Sequence, residues 1–134
     1  TTWGGWLKDH PESLLLSRET GFQRDYDAEP YYDYKRLPMV MFPTVHHDLR
    51  IPGKSWVVGI AHGDEALAIP FEQLDKLEGA LRLALGETEL DIHWDRESSS
   101  ARAFTLAGDE IPTTSGYWFA WVAFYPQTAL HNPE

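Results

Sequence analysis

Three carboxylates at alternate positions, Asp25, Asp27 and Glu29, with Asp33 just beyond, have the spacing in this chain that most suggests chemistry. Oxygen donors two residues apart are how a calcium loop turns several ligands toward one cation. The full EF-hand pattern is absent, because Pro30 stands where the sharp-turn glycine belongs. Arg24, Lys35 and Arg36 are close enough in sequence to neutralise the same carboxylates. A bound divalent cation and a salt-bridged loop are therefore both open.

Two histidine groups come next. His46-His47-Asp48 is one, and the alternation Asp91, His93, Asp95 is the other. Imidazole and carboxylate together suit zinc or copper. Adjacent histidines point apart, and alternate strand residues need a third element to close on one ion, so solvent-exposed polar side chains are the competing reading. No serine sits in a nucleophile elbow and no glycine-rich phosphate loop occurs. With 21 Asp and Glu, an acid/base pair can always be imagined, so its availability argues nothing. No residue is assigned as catalytic, and no cofactor is required beyond a possible divalent cation.

Trp3, Tyr31, Tyr32 and Tyr34 occupy irregular, polar stretches. Exposed Trp and Tyr beside acidic groups stack on sugar rings or anchor a protein interface. The alternative is that these rings close the core beneath a long loop.

Composition narrows the classes. A chain of 134 residues reads as a single domain over 1–134 and can bury a core without staples. The net charge of −10, with the basic residues scattered, argues against nucleic acid as a partner. The absence of cysteine removes disulfides, thiolate nucleophiles and Cys-ligated metals together. No apolar run reaches membrane-span length. The sequence starts at Thr1 rather than Met, which leaves export open.

The elements that must position these residues are organised around Tyr117–Tyr125, the most apolar window. Trp118, Trp121, Val122 and Tyr125 fall on one helical face, Thr113, Thr114 and Ser115 offer N-cap hydroxyls, and Pro126 limits the helix. Its apolar residues run nearly all round, which predicts burial. Trp3, Trp6, Leu7 and His10 repeat that face, and the two stretches share the pattern W-x-x-W-x4-P-x-[ST]-x-L. The first copy is amphipathic, which predicts a surface helix followed by Leu14–Leu16 as a buried strand. Residues 22–54, broken by Pro30, Pro38, Pro43 and Pro52, read as an ordered wrapping segment.

Beyond them the hairpins are legible. Ser55–Ala61 alternates, Gly63-Asp64 turns it, and Glu65–Ile69 returns. Pro70 opens a short helix with Gly79 as its left-handed stop. Leu81–Leu85, Thr88–Asp95 and Ala101–Leu106 follow as strands, with turns at Gly86-Glu87 and Ser98–Ser100. The prediction is α+β: an antiparallel sheet of hairpins with short helices at the corners, and a Trp-containing helix–strand corner at each end.

Leu15-Leu16-Ser17-Arg18-Glu19-Thr20-Gly21-Phe22-x-Arg24-Asp25-Tyr26, Val58-Gly59-Ile60, Ala66-x-Ala68-Ile69-Pro70 and Tyr117–Pro126 resemble the bacterial domain-of-unknown-function family 3179. The resemblance runs in order over almost the whole chain. It implies the C-terminal scaffold of longer members, whose upstream half carries a Cys-Pro-x-Cys motif that this sequence lacks. It also implies export, since many members look exported, and it makes Arg24-Asp25-Tyr26 a structural clasp. The expectation is a non-catalytic extracytoplasmic (periplasmic or exported) interaction module, an accessory subunit docking on a larger complex, a membrane-bound one included. The alternatives are a small-ligand domain, binding a divalent cation or a carbohydrate, and an enzyme of unknown reaction.

Overall fold

The computed structural model describes residues 1–131. It contains four short helices and eight strands: α1 (Trp3–Asp9), α2 (Tyr32–Arg36), β1 (Trp56–His62), β2 (Glu65–Pro70), α3 (Phe71–Leu74), β3 (Leu81–Leu85), β4 (Thr88–Asp95), β5 (Ser100–Thr105), β6 (Glu110–Ile111), β7 (Thr113–Tyr117), α4 (Trp118–Phe124) and β8 (Ala129–Leu130). The class is α+β, with helices toward both ends. The strands form two sheets rather than one, ordered β7-β1-β2-β8 and β3-β4-β5-β6. Every pairing is antiparallel except β2 with β8, which is parallel.

The hairpins form where the turn residues allow left-handed backbone. Gly63 (φ 61°) turns β1 into β2, and Gly86 (φ 59°) turns β3 into β4. Inward positions of the two sheets then meet in one core: Val58, Ile60, Leu67 and Ile69 against Leu85, Leu90, Ile92 and Ala103. Burying each such aliphatic side chain contributes about 1.5–3 kcal/mol. Alternation predicts one buried face for β1, yet Val57, Val58, Gly59 and Ile60 are all buried. The reason is a second cluster on the opposite face, where Val57 and Ala68 meet Trp118, Trp121 and Val122 of α4. Gly59 makes this possible, because a Cβ there would overlap the Trp121 ring.

Several expectations are corrected. Thr113, Thr114 and Ser115 form β7 instead of a cap, since their backbone pairs with β1, and the N-cap of α4 is Tyr117, which makes no side-chain cap bond. That helix is buried on one face only; Phe124 is 82% exposed on the other. Gly79 does not stop α3 in the left-handed region; the helix has already ended at Leu74, where Asp75 takes over. Leu14–Leu16 pairs with no strand and lies at the surface.

The two tryptophan corners nevertheless match in detail. Trp6 indole N–H donates to Ser13 Oγ at 2.7 Å, and Trp121 indole N–H to Thr128 Oγ1 at 2.9 Å. His10 and Tyr125 cap the helices at φ/ψ −132/65° and −125/69°, each donating its N–H to the carbonyl of its own second Trp, and their rings lie 4.0 and 4.2 Å from that indole. They differ at the N-terminus, where the Thr2 hydroxyl accepts from Gly5 N–H in α1 and α4 has no side-chain cap, and in their surroundings, because α1 buries no residue. Trp121→Ala should therefore cost about 3–5 kcal/mol and Gly59→Val about 1–3 kcal/mol by overpacking, while Trp6→Ala leaves the urea midpoint nearly unmoved. Equal losses for the two tryptophans would contradict this division.

Candidate functional site

The structure separates the acidic triplet instead of converging it. Asp25 Oδ1 accepts from the backbone N–H of Asp27 and of Ala28, closing a local turn. Asp27 is bridged to Arg18 at 2.8 Å and Glu29 to Lys35 at 2.7 Å. Lys35 holds the Glu29 carboxyl below its ordinary range. Charge neutralisation by local cations is thus the arrangement seen, with Arg18 rather than Arg24 on Asp27.

The histidine groups are also dispersed. His46 and His47 are exposed, while the Asp48 side chain turns inward and is bound by Arg50 through Nε (2.8 Å) and Nη2 (2.7 Å). Hydrogen bonding from Arg50 lowers the Asp48 pKa. Arg50 also lies over the Trp118 ring at 5.2 Å and donates to the Thr128 carbonyl at 2.9 Å, and the Trp118 indole donates to the Asp48 carbonyl at 3.1 Å. Asp48 and Arg50 therefore fasten the end of the long segment to the C-terminal corner. Among the described residues, no three His, Asp or Glu side chains are grouped as a metal site would need.

His93 and Asp95 do share a concave surface. A cleft of about 840 Å³ opens between α1 and the outer face of β4 and β5, lined by Trp6, His10, His93, Asp95, Arg102 and Glu110 among others. Several of its polar groups are already bonded within the chain. Arg102 forks onto Glu110 with two bonds of 2.8 Å, and Ser98 donates to Asp95 at 2.5 Å. These bonds hold the Glu110 and Asp95 carboxyls below their usual range, away from the near-neutral pKa that a general acid or base requires. The cleft offers recognition groups more readily than a proton shuttle. Arg102 opposite His93 is a cross-strand pair that sequence reading misses, because register between strands is set by pairing and not by local pattern.

The aromatic candidates divide. Trp3, Tyr31 and Tyr32 are 43, 54 and 56% exposed, whereas Tyr34 is buried at 7% exposure. Lys54 Nζ sits 3.4 Å from the Tyr34 ring centroid and donates to the Tyr34 and Leu37 carbonyls, tying α2 to the body. Partial burial lowers the Lys54 pKa. Tyr34 also backs an apolar slot of about 360 Å³ formed with Tyr31, Lys35, Phe42, Tyr117 and Phe119, where the long segment meets α4. Its hydroxyl is buried without a partner among the described residues.

Comparison with known proteins adds one match. The family described as "Protein of unknown function (DUF3179)" matches residues 1–110. No curated protein and no solved structure matches the chain.

Two measurements test these assignments. Tyr34→Phe should keep or raise the melting temperature, because it deletes a buried polar group that has no bond to lose. Asp48→Asn should lower stability at neutral pH. The folded Asp48 pKa lies below its ordinary 3.8, so its contribution is full above that value and is lost as pH falls through the folded pKa. The gap between wild type and Asp48→Asn should accordingly narrow in acid denaturation below about that pH; a constant gap would dismiss the Arg50 pairing as the cause.

Proposed function

This chain belongs to the DUF3179 family, and we propose that it is a non-catalytic, extracytoplasmic interaction module, an accessory subunit that docks on a larger protein assembly. One observation carries the reading. Among the described residues, fifteen of the nineteen exposed large hydrophobic residues, from Trp3 to Leu49, lie in residues 1–54, and all of the buried hydrophobic core except Tyr34 lies at or beyond Val57. Val45, Leu49, Phe22, Met39 and Met41 are between 56 and 94% exposed. Apolar side chains at this density outside the core mark association surfaces rather than solvent-facing loops.

The segment is nevertheless held in place. Arg50 donating to the Thr128 carbonyl (2.9 Å), the Trp118 indole donating to the Asp48 carbonyl (3.1 Å) and Phe119 N–H donating to the Gly53 carbonyl (2.9 Å) fix its end on the body, while Lys54 and the Tyr34–Phe42 edge contact (5.4 Å) order it internally, so its apolar residues are presented by a defined scaffold. A presented surface loses less ordering entropy on binding than a loose one. The apolar slot beside Tyr31 suits one bulky side chain of a partner, the arrangement of an interface anchor. The acidic balance and scattered basic residues favour a protein partner over nucleic acid. No helix among the described residues is long and apolar enough to cross a membrane, so association with a membrane complex would run through that partner. The extracytoplasmic setting rests on the family resemblance. The small-ligand reading rests on the cleft beneath α1 and ranks behind, because Arg102 and Glu110 there already pair with each other and Asp95 is held by Ser98.

Photo-crosslinking residues placed at Val45 or Tyr32 should yield discrete adducts with a protein in the cells that make this chain, and the same residue at Glu89 on the outer sheet face should not. An absence of adducts at all three positions, or equal labelling at each, would remove the reading.

A further inference from the structure

We propose that the N-terminal corner, Trp3–Leu16, seats on the edge of a β-sheet in a separate partner protein, with Trp6 over a glycine and Leu14–Leu16 added as a parallel strand. This rests on the interaction-module reading and specifies its docking mode.

The template lies in the same molecule. The C-terminal corner has the same helix length, the same indole-to-hydroxyl bond and the same cap geometry as the N-terminal one. Its seat is fully visible. Trp121 packs on Gly59 of β1, and the chain after Thr128 joins β2 in parallel register, Leu67 opposite Ala129 and Ala68 opposite Leu130, with His131 N–H donating to the Ala68 carbonyl at 2.8 Å. Alignment of the two corners puts Leu14, Leu15 and Leu16 at the positions of Ala129, Leu130 and His131.

In the N-terminal corner everything is present except the seat. Trp3 and Trp6 are each 43% exposed, and Leu14, Leu15 and Leu16 are 95, 73 and 93% exposed. No backbone hydrogen bond to Leu14, Leu15 or Leu16 forms among the described residues. Three consecutive leucines whose amides and carbonyls are free are a strand without a sheet, and an added strand satisfies both the apolar surface and the backbone groups. The corner is otherwise lightly held, by Gly5 against Ser98 and an exposed Lys8–Glu97 pair at 3.4 Å.

The occupant follows from the template: an antiparallel β-hairpin with a free outer strand and a glycine one strand in. A second copy of this chain does not supply it. Among the described strands the glycines are Gly59, already under Trp121, and Gly116, which lies on the outer strand β7 itself. A different protein must bring the hairpin.

The probe is a backbone-cyclised peptide with residues 56–70 of this chain, the β1–β2 hairpin without its corner, titrated into the full chain. We expect saturable binding that falls at least about tenfold with Leu16→Pro, which removes the N–H equivalent to the His131 donor, and stays within about threefold with Leu16→Thr, which keeps it. A Gly59→Val hairpin should bind at least about tenfold more weakly. Unchanged melting temperatures show that the variants are folded, as expected for exposed positions. No binding of the hairpin, or equal binding by Leu16→Pro, overturns the proposal; if adducts at Val45 persist in cells, the interaction-module reading survives that failure. Self-association of the chain that Leu16→Pro abolishes would replace the separate partner with a second copy and equally overturn it. Loss of both hairpin binding and cellular adducts removes the two together.

Discussion

The Trp121 indole lies against bare backbone at Gly59, and most of what is ordered around the C-terminal half depends on that approach. A side chain at residue 59 would lift α4 off β1. Because it is absent, Val57 and Ala68 are sealed from the side opposite the main core, and β1 becomes a strand buried on both faces. The same seating fixes Thr128 through the indole N–H, and Thr128 in turn offers its carbonyl to Arg50. A single close contact is thus transmitted to the end of the long N-terminal segment.

Around this centre the molecule divides into a body with a conventional core and a mantle that is apolar yet exposed. Residues from 56 onward pack as two sheets whose inward side chains meet. Residues before 55 contribute Tyr34 to the buried set and little else. Within the mantle the ordering contacts are largely polar: Lys54 on two carbonyls, Arg50 on Asp48, and local pairs such as Arg18–Asp27 and Lys35–Glu29; its end is joined to the body by Arg50 on the Thr128 carbonyl, the Trp118 indole on the Asp48 carbonyl and Ile51 against the α4 cluster. Exposed pairs contribute little stability each, so their role here is to fix direction. They also engage the carboxylates that would otherwise be candidates for a cation.

The duplicated corner shows how far local chemistry reaches. The helix length, the cap and the indole bond recur in both copies even though one is buried and the other is not, so a dozen residues suffice to specify them. Burial does not recur. It requires a glycine-bearing sheet beneath the helix, and that is supplied by residues distant in the chain for α4 and by none of the described residues for α1.

The sequence by itself determined the elements whose causes are local. Gly63-Asp64 and Gly86-Glu87 turn the hairpins, period-2 alternation marks β3 to β5, and W-x-x-W with the following proline and hydroxyl builds each corner. Of the cations that neutralise the acidic triplet, Lys35 could be read in advance and Arg18 could not. Only the tertiary structure decided which apolar residues are covered. Leu14–Leu16 looks like a core strand because its composition is that of one, yet strand burial needs a neighbour, and pairing is settled between residues far apart in sequence. The split into two sheets, the parallel β2–β8 pair, the burial of Tyr34 beside exposed Tyr31 and Tyr32, and the meeting of α1 with β4 and β5 around a cleft all share that cause. Each depends on long-range packing, for which a one-dimensional pattern carries no register.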